Sequence, residues 1–253
     1  YGPFGFIDLY YPHYSPWTGG GHHFSFRNQP EAAQKNFDMF CRSMAELLKS
    51  DQAHLQELES IQNGFSQAME EHMHTMWATK LGLPASYEDS QQPVVQALVE
   101  ELFALMAQTP VDYTIFFREL SSIPKEIQAL QKSFYPDPRP AEDQQASHQG
   151  WREWLGKWNE LLHTSMLARG LSSLEEISAQ MKCVNPKYIL REWIVIPAYQ
   201  KAATGDYSLV RELQAVMTQP YAEQSAEIEE KYYKLKPMEF FALGGVSHLS
   251  CSS

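Results

Sequence analysis

Apolar side chains recur every three or four residues along most of the chain, and that period predicts helices. Ala33, Phe37, Phe40, Met44 and Leu47 form one such face. Asn28 stands at its start as an N-cap, with Pro30 and Glu31 in the first turn. Asp51 caps a second helix, whose stripe runs through Leu55, Leu58, Ile61, Phe65, Met69, Met73 and Met76 to Leu81. Gly82-Leu83-Pro84 stops it. Polar residues 86–93 read as loop, Val94 to Met106 as a third helix and Asp112 to Leu120 as a fourth. Trp151, Trp154, Leu155, Trp158, Leu161 and Leu162 make a bulky stripe, and helices are expected near 172–182, 186–203 and 206–217. Pro197 should kink or divide the second of these. The last thirty residues are mixed. The Met and aromatic stripes read as core. The alternation of half-buried strands is almost absent, so the chain is mainly α.

Two stretches break the pattern. Residues 1–29 hold Gly2, Pro3, Gly5 and Gly19-Gly20-Gly21 among Tyr10, Tyr11, Tyr14 and Trp17. So many large rings predict a loop folded against the body, and in isolation a source of exposed rings and aggregation. Residues 133–150 carry three prolines followed by polar side chains, which predicts an exposed loop inside a domain rather than a boundary. The division expected is therefore a ring-rich loop over 1–29 and a helical body over 30–253.

Composition narrows the functional classes. The net charge is −11, from 20 basic and 31 acidic residues. That argues against binding nucleic acid, whose phosphates need a basic face, and against an anionic membrane surface. No apolar run reaches the length of a membrane span. Cys41, Cys183 and Cys251 include no C-x-x-C pair and form no disulfide scaffold.

Candidate chemistry is sparse. Gly19-Gly20-Gly21-His22-His23 lacks the Lys-Ser/Thr ending of a phosphate loop and reads as a turn. His72 and His74 are two residues apart, not the four that a zinc helix needs, and read as a solvated face. Asp137, Glu142 and Asp143 lie in the predicted loop and read as surface charge. Cys251 stands third from the end in a tail of small polar residues, where an exposed thiol can reach a partner.

Several stretches together resemble the selenoprotein O family, the pseudokinase-fold protein adenylyltransferases. They are Tyr1-Gly2-Pro3-Phe4-Gly5-Phe6-Ile7-Asp8, Phe24-Ser25-Phe26-Arg27-Asn28-Gln29-Pro30, Leu102-Phe103-Ala104-Leu105-Met106, Asp112-Tyr113-Thr114 with Phe117-Arg118, Asn185-Pro186-Lys187-Tyr188-Ile189-Leu190-Arg191, Gly205-Asp206-Tyr207 and Ser250-Cys251-Ser252-Ser253. Their order and rough spacing fit the family from end to end.

The resemblance implies an atypical kinase fold, of which this chain would be the C-lobe portion and helical C-terminal extension, without the N-lobe. It implies ATP and Mg²⁺ or Mn²⁺, with AMP transferred to Ser, Thr or Tyr hydroxyls of protein substrates. In the family's pattern a metal-binding Asp stands directly ahead of Tyr-Gly-Pro-Phe-Gly, and the other catalytic residues lie further upstream. No catalytic, cofactor or metal residue is therefore carried onto this chain, and Tyr1 and Gly2 match only the positions after that Asp. The expectation is a C-terminal part that neither binds ATP tightly nor transfers AMP alone. The resemblance also marks Cys251 as a redox site, since selenocysteine or cysteine takes that position in the family. Selenocysteine members carry a Cys where this chain has His248. Bacterial cytoplasm or mitochondrion is the implied compartment. The alternative reading is a non-catalytic helical interaction or regulatory module with a redox-active tail cysteine.

Overall fold

The structure is a computed structural model that describes residues 6–15, 21–84, 92–171 and 173–241. Tyr1 to Gly5, Gly19-Gly20, His248 and Cys251 lie outside the described residues, so the readings placed on them have no structural counterpart. The described residues are helical with no strand. The helices are α1 (Gln29–Leu48), α2 (Gln52–Lys80), α3 (Gln92–Gln108), α4 (Tyr113–Leu120), α5 (Ala141–Ala168), α6 (Leu174–Val184), α7 (Glu192–Ala203), α8 (Ser208–Met217) and α9 (Ala226–Tyr232), with 3-10 turns ahead of α1, between α4 and α5 and after α9. None is long and apolar enough to cross a membrane.

Side-chain caps mark three of the helix starts. Asp51 accepts from the N–H groups of Ala53 and His54 and so caps α2. Asp112 caps α4 through Ile115 N–H at 2.9 Å, and Ser225 caps α9 through Ile228 N–H. Asn28 precedes α1, but its side chain donates backwards to the His23 carbonyl at 3.0 Å instead of capping.

Two apolar clusters hold the helices together. In the larger, α5 lays Trp151, Trp154, Leu155, Trp158 and Leu162 against α3, the end of α2 and α4. Trp154 and Trp158 stack with ring centroids 6.1 Å apart and planes 4° from parallel. Each of these three indole N–H groups finds an acceptor: Thr109 Oγ1 for Trp151, Leu98 O for Trp154 and Leu81 O for Trp158, the usual state of a buried tryptophan, whereas the buried indole N–H of Trp193 on α7 has none among the described residues. The smaller cluster joins Ile115 of α4 to Tyr188, α7, α8, Tyr232 and Tyr233.

Gly82 closes α2 with φ +71°, and a Cβ there would sit 2.7 Å from Ile177 Cγ2 and 2.8 Å from Met181 Sδ. Both the left-handed backbone and the close approach demand glycine. Gly82→Ala should cost roughly 2 to 4 kcal/mol, read as a lower urea midpoint with an unchanged m-value.

The structure corrects several expectations. The stretch 133–150 is not one exposed loop. Ser133 ends a 3-10 turn, residues 134–140 are non-helical, and α5 already runs from Ala141. The polar first turns of α5 form a solvated helix, with Glu142 and Asp143 favourably placed at its N-terminus. Helix 186–203 begins only at Glu192, because Lys187 and Tyr188 give their N–H groups to Pro220 O. Pro197 lies inside α7 without dividing it. The α1 stripe is not core throughout: Phe40 is 56% and Leu47 76% exposed. Phe37 stacks on Phe65 of α2 at 4.6 Å, while Met39 and Ile61 are also exposed. Within the ring-rich segment, Ile7 and Tyr10 are buried in the larger cluster, while Phe6 and Tyr11 face solvent; Trp17 lies outside the described residues.

Candidate functional site

The N-terminal segment is fixed by backbone and charge together. Tyr10 N–H donates to Val111 O at 2.9 Å, and Tyr113 N–H donates to Asp8 O at 3.0 Å. On the other side of 110–112, Asp112 N–H donates to Ser133 O and Tyr135 N–H to Pro110 O. Three short extended pieces thus lie side by side, with isolated bridges Leu9 to Asp112 and Val111 to Phe134. Further along, Phe26 N–H and Arg27 N–H reach back to Tyr14 O and Pro12 O. Tyr10 stacks on Phe103 at 5.4 Å and Tyr113 at 6.1 Å.

At the centre sits a buried ionic triad. Arg191 ends the non-helical stretch before α7, and its guanidinium donates to Asp112 Oδ2 at 2.6 Å and Oδ1 at 2.9 Å. The same guanidinium pairs with Asp8. Arg191 is 3%, Asp112 0% and Asp8 10% exposed at the side chain. Burial works against a charged Arg191, but the two carboxylates outweigh it and hold the guanidinium protonated. Burial raises the Asp112 carboxyl, and Arg191 and the Ile115 N–H oppose that rise. Tyr135 Oη adds a further donor to Asp112 at 3.3 Å. Nearby, burial and then the Asp8 and Glu192 charges push Tyr14 up to about 12. One carboxylate thereby caps α4, binds α7 through Arg191 and, through that arginine, grips the segment at Asp8.

A second charged cluster ties α4 to the far end of the chain. Arg118, 4% exposed, donates to the Lys182 and Asn185 carbonyls and to Glu223 at 2.6 Å. Lys187 pairs with the same Glu223 and with Glu229 at 2.7 Å. Burial would lower Lys187, but the two glutamates raise it, while Lys187 and Arg118 outweigh the effect of burial on Glu223 and hold it below its usual range.

The residues singled out in the sequence are not brought together. His72 is exposed on α2. Asp137 is no free surface charge: it holds Arg139 at 2.6 Å, and Arg139 reaches buried Ser147. Glu142 and His148 border only a shallow depression formed by α5 itself. Cys41 is buried and Cys183 exposed, both as free thiols. Among the described residues no group of three His, Cys, Asp or Glu side chains could hold a metal ion. Asp112 and Arg191 lie within the stretches quoted for the family resemblance, but their pairing has no local signal.

Known proteins resemble this chain along its whole length. The protein nucleotidyltransferase YdiU of Vibrio vulnificus is 33% identical over 261 residues, covering 100% of this chain and 47% of that protein. Its namesake from Flavobacterium johnsoniae is 31% identical over 262 residues, covering 100% and 46%. That of Myxococcus xanthus is 32% identical over 227 residues, covering 88% and 41%. The chain thus spans about half the length of the curated relatives it matches. The family model for protein adenylyltransferase SelO matches residues 1–218, and the chain belongs to that family.

Proposed function

We propose that the protein to which these residues belong is a protein adenylyltransferase, and that residues 1–253 are its C-lobe portion and helical C-terminal extension. It would transfer AMP from ATP, with Mg²⁺ or Mn²⁺, to Ser, Thr or Tyr hydroxyls of other proteins. The match to the family over residues 1–218 carries this reading. The described residues supply no ligand set for the metal, and Asp8 is already engaged by Arg191. Their part is mechanical. The triad and the backbone bonds at Asp8, Tyr10 and Tyr113 fasten the stretch around residues 8–10 to the start of α4, and placement of reacting groups acts beside electrostatic stabilisation in such transfers. By themselves residues 1–253 transfer no AMP. Cys251 is proposed as a redox-active tail thiol.

ATP labelled at the α-phosphate or at the γ-phosphate, given to the full-length protein with a protein acceptor, tests the reaction. Label should pass to the acceptor from the α position only. Transfer from the γ position would make the protein an ordinary kinase and overturn the reading. The exposed Met39, Phe40, Leu47 and Ile61 of α1 and α2 favour a second reading, a helical interaction module. That reading requires no label transfer from either position.

A further inference from the structure

Lys80, the last residue of α2, is held in place without a counter-charge among the described residues. Its ammonium donates to Asn185 Oδ1 at 2.8 Å. Asn185 is itself fixed, since its amide donates to Lys80 O at 2.9 Å and to Ser121 Oγ at 3.0 Å. Asn185 is fully buried. The ammonium also lies 4.6 Å from the Phe117 ring centroid and 6.0 Å from that of Tyr113. These contacts use one of its three N–H donors on a neutral acceptor and leave two for a ligand.

The buried cations elsewhere show what is missing. Arg118 has Glu223 at 2.6 Å, Lys187 has Glu229 at 2.7 Å and Arg191 has Asp112 at 2.6 Å. Among the described residues no carboxylate lies within 4.0 Å of the Lys80 ammonium. The described residues leave this half-buried charge uncompensated. Burial alone pulls Lys80 down to about 8, so the charge weakens the fold at neutral pH.

We propose that Lys80, set between Asn185 and the rings of Phe117 and Tyr113, anchors a binding site for a phosphate-class oxyanion. The anion supplies a negative charge that the described residues do not place beside the Lys80 ammonium. The site is independent of the transfer reaction proposed above. Free phosphate and the phosphate of a nucleotide share this chemistry, and the two are separated by the probe.

The test uses the purified protein and Lys80→Met, with inorganic phosphate or AMP at constant ionic strength. Without ligand, Lys80→Met should be the more stable at pH 7. The sign follows from the lowered folded value: wild-type stability should rise between pH 8 and 10.5, as Lys80 loses its proton in the native state first. Lys80→Met should lack that rise. Phosphate at ten times its Kd should raise the wild-type Tm by about 3 to 5 °C and leave Lys80→Met unmoved. A tenfold lower Kd for AMP would identify a nucleotide as the source; equal values would identify free phosphate. In wild type alone, the ¹³Cε titration of Lys80 should shift its midpoint upward from about 8 when phosphate is added. An unmoved midpoint, or an equal Tm response in both proteins, would overturn the proposal.

Discussion

Replacing Arg191 by methionine should destabilise the fold by about 3 to 5 kcal/mol, the range for removing one partner of a buried ion pair. The loss is large because of what remains. Asp8 and Asp112 would face each other across the vacated space, both nearly inaccessible to water. Like charges in such a place raise each other's pKa. Groups with raised folded values destabilise as pH climbs through those values. The variant should therefore gain more stability than the wild type on acidification from pH 7 toward the ordinary carboxylate range. Equilibrium urea unfolding at several pH values reads both effects. Removing Asp8 as well, in Asp8→Asn with Arg191→Met, should cost less than the two single changes summed. Amide exchange at Tyr10 and Tyr113 should quicken more than in α5, because those two N–H bonds frame the triad. A loss below about 1 kcal/mol, the scale of an exposed pair, would mean that the triad does not anchor the segment.

Trp158→Ala carries the second large effect, expected at about 3 to 5 kcal/mol. The side chain is 0% exposed, so its removal opens a cavity beneath Trp154 and among the ends of α2 and α6. It also strips Leu81 O of the indole N–H that satisfies it at 2.9 Å, leaving a buried carbonyl without that donor. Trp158→Phe separates the two contributions. It keeps most of the volume and loses the hydrogen bond, and should cost less than the alanine change. A thermal or urea series on the three proteins checks the order. Equal costs for Phe and Ala would show that the hydrogen bond, not the packing, dominates.

The sequence carried local information well and non-local information poorly. Asp51, Gly82 and the tryptophan spacing of α5 each act within a few residues, and each marks an element that the structure contains. The early part of α5 reads as loop because its side chains are polar and prolines precede it. Solvated helix and loop share that composition, and only packing of Ser147 and Trp151 distinguishes them. The α1 stripe reads as core because periodicity reports a face, not what covers it; among the described residues α2 and the N-terminal turns are its main neighbours. Helix α9 is too short to announce itself by period, although Ser225 supplies its cap. The triad was beyond reach altogether. Arg191 meets partners 79 and 183 residues away, and nothing in the order of residues encodes that meeting. What made those positions visible was likeness to a family, not local physics.

The central proposal is that these helices fix a segment of a transfer enzyme without supplying its reacting groups. Incubation of residues 1–253 alone, beside the full-length protein, with α-labelled ATP, divalent metal and a protein acceptor puts it to the test. The account predicts label in the acceptor with the full-length protein and none above background with residues 1–253. Comparable labelling by residues 1–253 alone would contradict it.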